Sequence, residues 1–82
     1  MNKTNKANKA NKFNPKKLLN AKWTAVNPQN KERHFIVVKL LEDPQIEGKI
    51  EACILQSVMH KNDYEIRCEQ LKDAATWLQG WK

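Results

Sequence analysis

Glycine is scarce in this sequence of 82 residues, which contains two, Gly48 and Gly80. Loops that wrap around phosphate groups, and turns that present a catalytic serine, need several closely spaced glycines because the backbone must approach a ligand or bend sharply there. Two isolated glycines therefore exclude nucleotide-binding loops of the Gly-x-Gly-x-x-Gly and Walker types and the Gly-x-Ser-x-Gly turn of hydrolases.

Long apolar runs are also missing, since none exceeds four residues, as at positions 35–38. A membrane-spanning helix needs about 20 predominantly apolar residues, and a secretion signal needs an apolar core of roughly 7–15. We therefore expect a protein of the cytoplasm without a membrane partner. In that compartment Cys53 and Cys68 are expected to stay reduced.

Side chains that bind soft metals are few: His34, His60, Cys53 and Cys68. No Cys-x-x-Cys or His-x-x-x-His spacing joins them, so a zinc site is not expected. A nucleophilic pair of Cys68 and His60 is equally unexpected, because a cysteine that faces inward from a strand is usually inert. We predict a protein that is not an enzyme, with no catalytic residues, no metal and no cofactor.

Acidic residues are absent from the first 17 positions, which hold six lysines: Lys3, Lys6, Lys9, Lys12, Lys16 and Lys17. The other nine of the 15 basic residues balance the nine acids, so the formal net charge of +6 comes from this segment. Its Asn-Lys repeat has a period of three, which fits neither a helix nor a strand. We predict that residues 1–13 form a disordered tail and residues 14–82 a single small tryptophan-rich domain.

Two roles are open for this basic tail. As an electrostatic arm, its lysines, together with Lys22, would neutralise nucleic-acid phosphates and release counterions. As a solvated extension, it would bind nothing. The repeat contains no arginine and no aromatic residue, which favours the solvated extension.

Several segments after the tail have the composition of strands, beginning with the short stretch KWTAV. RHFIVVKLLE is apolar on both faces, which is typical of a central strand, and KIEACILQSVMH follows the same pattern. YEIRCEQL alternates between apolar and charged residues, as an edge strand does. The sequence therefore predicts a mainly β protein of the α+β class, with a three- to four-stranded antiparallel meander or partial barrel.

The C-terminal segment has the features of one short helix. Asp73 is a suitable N-cap, Gly80 is a suitable stop, and Trp77 and Trp81 are four residues apart, on one helical face. Such a helix covers one face of the sheet only. The other apolar face would need closure into a partial barrel, a second cover from residues 18–26, or another subunit.

Three tryptophans would fill much of the core of so small a domain. An alternative use of Trp23, Trp77 and Trp81 is a platform on which single-stranded bases stack. The large area that each ring buries favours the core, with Trp81 the most exposed of the three. The predicted structural core consists of Trp23, Phe35, Val37, Ile54, Tyr64, Ile66, Trp77 and Trp81.

A scattered set of residues between about Asn14 and Lys82 resembles a family of short tryptophan-rich bacterial proteins. The residues that carry this resemblance are Trp23, Pro28, His34, Phe35, Trp77, Gly80 and Trp81. Members of that family tend to have a further tryptophan where this chain has Cys68. The resemblance implies a bacterial origin and a single compact domain, and it implies no reaction because the family has no assigned activity.

Two functions from different classes fit this sequence. The first is an interaction module that buries its spare apolar face against another protein or a second copy of itself. The second is an accessory nucleic-acid-binding protein, in which the basic tail supplies affinity. The outward residues Glu65, Arg67 and Glu69 do not form a basic face, which favours the interaction module.

Overall fold

The computed structural model describes residues 10–82, which form one open antiparallel sheet of five strands. The strands are β1 (Lys22–Gln29), β2 (Glu32–Glu42), β3 (Ile50–Ser57), β4 (Asp63–Arg67) and β5 (Trp77–Gln79). Their order in the sheet is β4-β3-β2-β1-β5. Strands β1 to β4 therefore form a meander, and the chain then crosses the sheet so that β5 pairs with the outer edge of β1. A 3-10 turn at Pro15–Lys17 precedes β1, and helix α1 (Cys68–Leu71) follows β4. The predicted fold class is confirmed, with one strand more than expected.

The short helix lies earlier in the chain than predicted. Asp73 does cap the following turn, because its carboxylate accepts from Ala75 N–H at 3.0 Å and from Thr76 Oγ1 at 2.9 Å. After that turn, however, residues 77–79 form a strand that pairs with β1. A single turn of helix is weak alone, so the pairing with β1 decides the conformation. Within residues 10–82, no helix is long and apolar enough to cross a membrane.

One face of the sheet carries the core. Its buried apolar residues are Leu18, Trp23, Ala25, Phe35, Val37, Cys53, Leu55, Cys68 and Leu71. The strands supply most of them, while Leu18 from the segment before β1 and Leu71 from α1 cover the strands. Of the other predicted core residues, Ile66 and Trp77 are half-buried against this cluster.

A bulge in β2 determines which side chains reach the core. The pairing of β2 with β3 shifts register between Val37 and Lys39, which leaves Val38 as the extra residue. Simple alternation places Leu40 on the face opposite Val37, but the bulge brings Leu40 against the core cluster. Ile54, which the sequence predicts to be core, pairs with Lys39 and is half-buried on the opposite face.

The C-terminal residues cover part of that opposite face. Thr24 Oγ1 donates to the carbonyl of Gly80 at 2.7 Å and accepts from Lys82 N–H at 2.9 Å, and Thr24 is fully buried as a result. Trp81 Nε1 donates to the carbonyl of Phe35 at 2.9 Å, yet the Trp81 side chain stays 44% exposed. Trp81 therefore lies on the surface of the sheet and outside the core cluster.

Residues 10–13, which the sequence assigns to the tail, contact the domain. Ala10 forms an antiparallel bridge with Asp73. The Asn11 side-chain amide donates to the carbonyls of Leu71 and Trp77, both at 2.8 Å. The ring of Phe13 meets that of Trp23 edge-on, with centroids 5.6 Å apart. The ordered domain thus includes Ala10, and the predicted disorder of residues 1–9 lies outside the described residues.

Candidate functional site

A surface pocket opens at the end of the core face, where the β1–β2 hairpin, β4 and the turn before β5 meet. Its volume is about 340 Å³. The residues that line it are Ala25, Asn27, Gln29, Asn30, Glu32, Phe35, Tyr64, Ile66, Thr76 and Trp77. Polar side chains of the hairpin therefore share this pocket with apolar and aromatic ones, as in most ligand-binding sites.

Three aromatic rings, which we call the aromatic corner, form the apolar wall of the pocket. Phe35 comes from the middle strand, Tyr64 from the edge strand β4, and Trp77 from the opposite edge strand β5. The Phe35 centroid is 6.0 Å from that of Tyr64 and 5.4 Å from that of Trp77, with interplanar angles of 73° and 81°. Phe35 thus makes a T-shaped contact with each of the other two rings, and all three rings line the pocket.

A buried carboxylate, that of Glu32, lies beside the aromatic corner. Glu32 is 3% exposed and follows a two-residue turn in which Asn30 and Lys31 both have positive φ, 54° and 64°. Such a turn matches the twist of the two strands and fixes where β2 begins. The hairpin therefore places Glu32 at the first residue of β2, where its side chain is buried.

Four neutral or ionisable donors surround the Glu32 carboxylate. Oε2 accepts from Ser57 Oγ at 2.8 Å and from Asn62 Nδ2 at 2.8 Å, and His60 Nδ1 lies 3.3 Å away. Oε1 accepts from the hydroxyl of Tyr64. The donors come from the end of β3, the β3–β4 turn and β4, so the carboxylate joins three segments of the chain.

These hydrogen bonds hold the carboxylate in its charged form. The bond from Tyr64, followed by that from Ser57, lowers the pKa of Glu32 from 4.5 to about 2. The same bond raises the pKa of the Tyr64 hydroxyl, because a phenolate would face the carboxylate. Among the described residues that line the pocket, Glu32 is the one charged side chain.

The single tyrosine of the chain makes this interaction directly measurable. We expect the absorbance at 295 nm to report a Tyr64 pKa above the ordinary value of 10.0. Glu32→Gln should lower this pKa towards 10.0, because the amide carries no charge to oppose the phenolate. Glu65→Gln, which removes an exposed carboxylate from the same strand, is the matched control. Identical titrations of the wild-type and Glu32→Gln proteins would show that the bond is absent.

The sequence alone did not reveal this site. Glu32 falls between the predicted strand segments KWTAV and RHFIVVKLLE, and Ser57 and Asn62 are 25 and 30 residues away from it along the chain. The pairing of Phe35 with Ser57 brings them together, and the register of that pairing is not visible in either strand separately. The sequence does offer one indication, since a tyrosine near a sheet edge usually needs a partner for its hydroxyl. Tyr64, predicted as core, is 36% exposed at the pocket.

Cys68 and His60, the candidate nucleophilic pair, have different partners. His60 contacts Glu32, whereas Cys68 Sγ is 3.7 Å from the carbonyl oxygen of Ile50. Burial raises the pKa of the Cys53 thiol to about 11 and also raises that of Cys68. In residues 10–82, no three His, Cys, Asp or Glu side chains are grouped to hold a metal ion.

The predicted nucleic-acid contacts form a separate region. Lys3, Lys6 and Lys9 lie outside the described residues. The remaining ones, Lys12, Lys16, Lys17 and Lys22, are all exposed around the 3-10 turn and the start of β1. Lys22 Nζ is 5.0 Å from the ring centroid of Trp81, which in turn lies 5.9 Å from the ring of His34. None of these four lysines lines the pocket that contains Glu32 and the aromatic corner.

An open five-stranded sheet with one buried tryptophan and two on its last strand and C-terminal segment defines a small, tryptophan-rich β domain. Residues 21–82 match the model of the family described as "Tryptophan-rich protein (DUF2389)". The match covers well over half of the chain, which belongs to this family, and it confirms the resemblance to short tryptophan-rich proteins. That description names a domain of unknown function. No curated protein and no solved structure matches the chain.

Proposed function

We propose that this protein is a non-catalytic binding module whose pocket receives a segment of a partner protein. The observation that carries the proposal is a surface pocket lined by three aromatic rings and by the buried, ionised carboxylate of Glu32. Aromatic side chains dominate the binding energy of protein interfaces, and pockets of roughly 300–1,000 Å³ suit a bound side chain or small ligand. The bacterial cytoplasm is the setting we propose, in keeping with two free, buried thiols.

The chemistry of the pocket supports binding over reaction. A carboxyl group with a pKa of about 2 is a poor proton acceptor and a poor proton donor near neutral pH. Ser57, the hydroxyl that donates to it, has no exposed surface for a substrate to reach. The side chains around Glu32 therefore maintain a fixed charge and a fixed shape, which are the properties of a recognition site.

A peptide-display selection on the full chain tests this proposal. Selected peptides should bind at least about tenfold more weakly to Trp77→Ala, since loss of an aromatic contact at an interface centre commonly costs more than 1.4 kcal/mol. Trp81→Ala is the matched control, because Trp81 lies outside the pocket. Amide shifts in ¹⁵N spectra should map the peptide to residues around Tyr64 and Trp77. Equal binding to the wild type and Trp77→Ala, or no enriched peptide, would contradict the proposal.

The alternative function, an accessory nucleic-acid-binding protein with a basic N-terminal arm, has one observation in its favour. Lys22, which is exposed, lies over the ring of Trp81, with Nζ 5.0 Å from the ring centroid. Fluorescence anisotropy with single-stranded RNA and duplex DNA distinguishes the two functions. Binding that weakens with salt at a slope of roughly −0.7 to −0.9 per phosphate contact, and that is unaffected by Trp77→Ala, would favour this alternative.

A further inference from the structure

Among the described residues that line the pocket, there is no lysine or arginine to neutralise the charge of Glu32. Among the described side chains, its closest ionisable nitrogen is His60 Nδ1 at 3.3 Å, which carries a charge only when protonated. The other partners, Ser57, Asn62 and Tyr64, are neutral donors. The carboxylate therefore gives the pocket a negative potential that attracts a cation.

The aromatic corner adds to this attraction. The π-faces of Phe35, Tyr64 and Trp77 are electron-rich, and a cation within about 6 Å of such a face is stabilised, most strongly by Trp. Phe35 contacts both other rings, and all three line the same pocket, so one group in the pocket can contact more than one of them. Walls of this kind, together with a carboxylate, are how proteins recognise ammonium ligands.

The hydrogen bonds of Glu32 indicate which kind of cation fits. Its two oxygens already accept from Ser57, Asn62 and Tyr64, and His60 lies alongside, so no oxygen pair is free for the two parallel donors of a guanidinium. An unmodified ammonium brings three donors that need acceptors once they leave water. A methylated ammonium brings the same charge with fewer donors, or none, and its methyl groups pack on aromatic faces.

We infer that the pocket binds a methylated ammonium group through the aromatic corner and the charge of Glu32. On the basis of the proposed function, we assign this group to a methylated lysine side chain of the partner protein. The charge of Glu32 makes this pocket prefer a cation, whereas a merely apolar groove would bind an uncharged group of the same shape equally well.

Choline and 3,3-dimethyl-1-butanol provide a direct test, because they differ in the replacement of a charged nitrogen by carbon. We expect choline to shift the amide and indole resonances of the pocket in ¹⁵N spectra of the full chain, with a Kd of roughly millimolar order for so small a ligand. The neutral analogue should bind at least about tenfold more weakly.

Variants assign the binding to individual groups. Glu32→Gln keeps the shape of the side chain and removes its charge. Both Glu32→Gln and Trp77→Ala should weaken the binding of choline by about tenfold. Glu65→Gln and Trp81→Ala are the matched controls and should bind as the wild type does. Each variant's amide spectrum reports whether it is folded. The wild-type comparison of choline with its neutral analogue needs no variant, so the inference is tested even if Glu32→Gln does not fold.

The outcomes separate this inference from the proposed function. Equal affinity for choline and the neutral alcohol, absence of binding by both, or shifts located away from Trp77 would overturn the inference while leaving the peptide selection unaffected. Choline binding without preference for a trimethyllysine peptide over its unmodified lysine version would confine the ligand to free quaternary amines and overturn the assignment to a partner's lysine. Preference for the trimethyllysine peptide, lost in Glu32→Gln, is the expected result.

Discussion

Trp23→Ala is expected to destabilise the domain by ~3–5 kcal/mol, which is the typical cost of truncating a buried tryptophan. Trp23 is 1% exposed and belongs to the buried core cluster, with Phe13 packed edge-on against its ring. Domains of this size have about 5 kcal/mol of stability or little more, so the variant should be largely unfolded at room temperature. Urea unfolding followed by circular dichroism measures the loss.

Two variants bracket this result. Trp81→Ala removes the same side chain from a position that is 44% exposed, and it should cost much less. Trp23→Phe keeps an aromatic ring and removes an indole N–H that has no hydrogen-bond partner within residues 10–82. Its cost should therefore fall well below that of Trp23→Ala. A Trp23→Ala protein as stable as Trp81→Ala would show that the core is not organised around Trp23.

Leu18→Ala should cost about 2–5 kcal/mol, whereas Leu19→Ala should change stability by no more than about 0.5 kcal/mol. The two leucines are adjacent and chemically identical, but Leu18 is 2% exposed and Leu19 is 50% exposed. The free energy of unfolding of both variants, measured at one pH with urea, gives the comparison. The pair thus tests whether the segment before β1 covers the sheet.

Losses of similar size in both leucine variants would mean that this segment contributes through its backbone or its helical turn and not through a buried side chain. A negligible loss for Leu18→Ala would remove the segment from the core altogether. In that case the face that carries Val37 and Leu55 would need another cover, because both side chains are fully buried.

Much of the sheet could be predicted from the sequence because alternation and β-branched residues are local properties. The central strands around Phe35 and Leu55 were identified in this way. The predictions that were wrong concern residues whose conformation or orientation depends on strands that are distant in the sequence. The segment at Trp77 has a helical N-cap at Asp73, yet its pairing with β1 makes it a strand. Leu40 faces the core because of a bulge that no local pattern shows.

The site was less predictable than the fold. Trp77 and Tyr64 were recognised as important aromatic residues, but as core and not as walls of a pocket. Glu32 has no sequence feature that separates it from the other eight acidic residues. Its environment depends on the β2–β3 register and on the β3–β4 turn, both of which are products of the complete sheet.

The position of β1 between β2 and β5 has a consequence for the synthesis of this protein. During translation β1 can form a hairpin with β2 early, but its outer edge has no strand to pair with until residues 77–79 have been made. A growing chain with an unpaired strand edge is prone to associate with other chains. One edge of β1 therefore stays open to other chains until residues 77–79 are available, and β5 covers that edge in the folded domain.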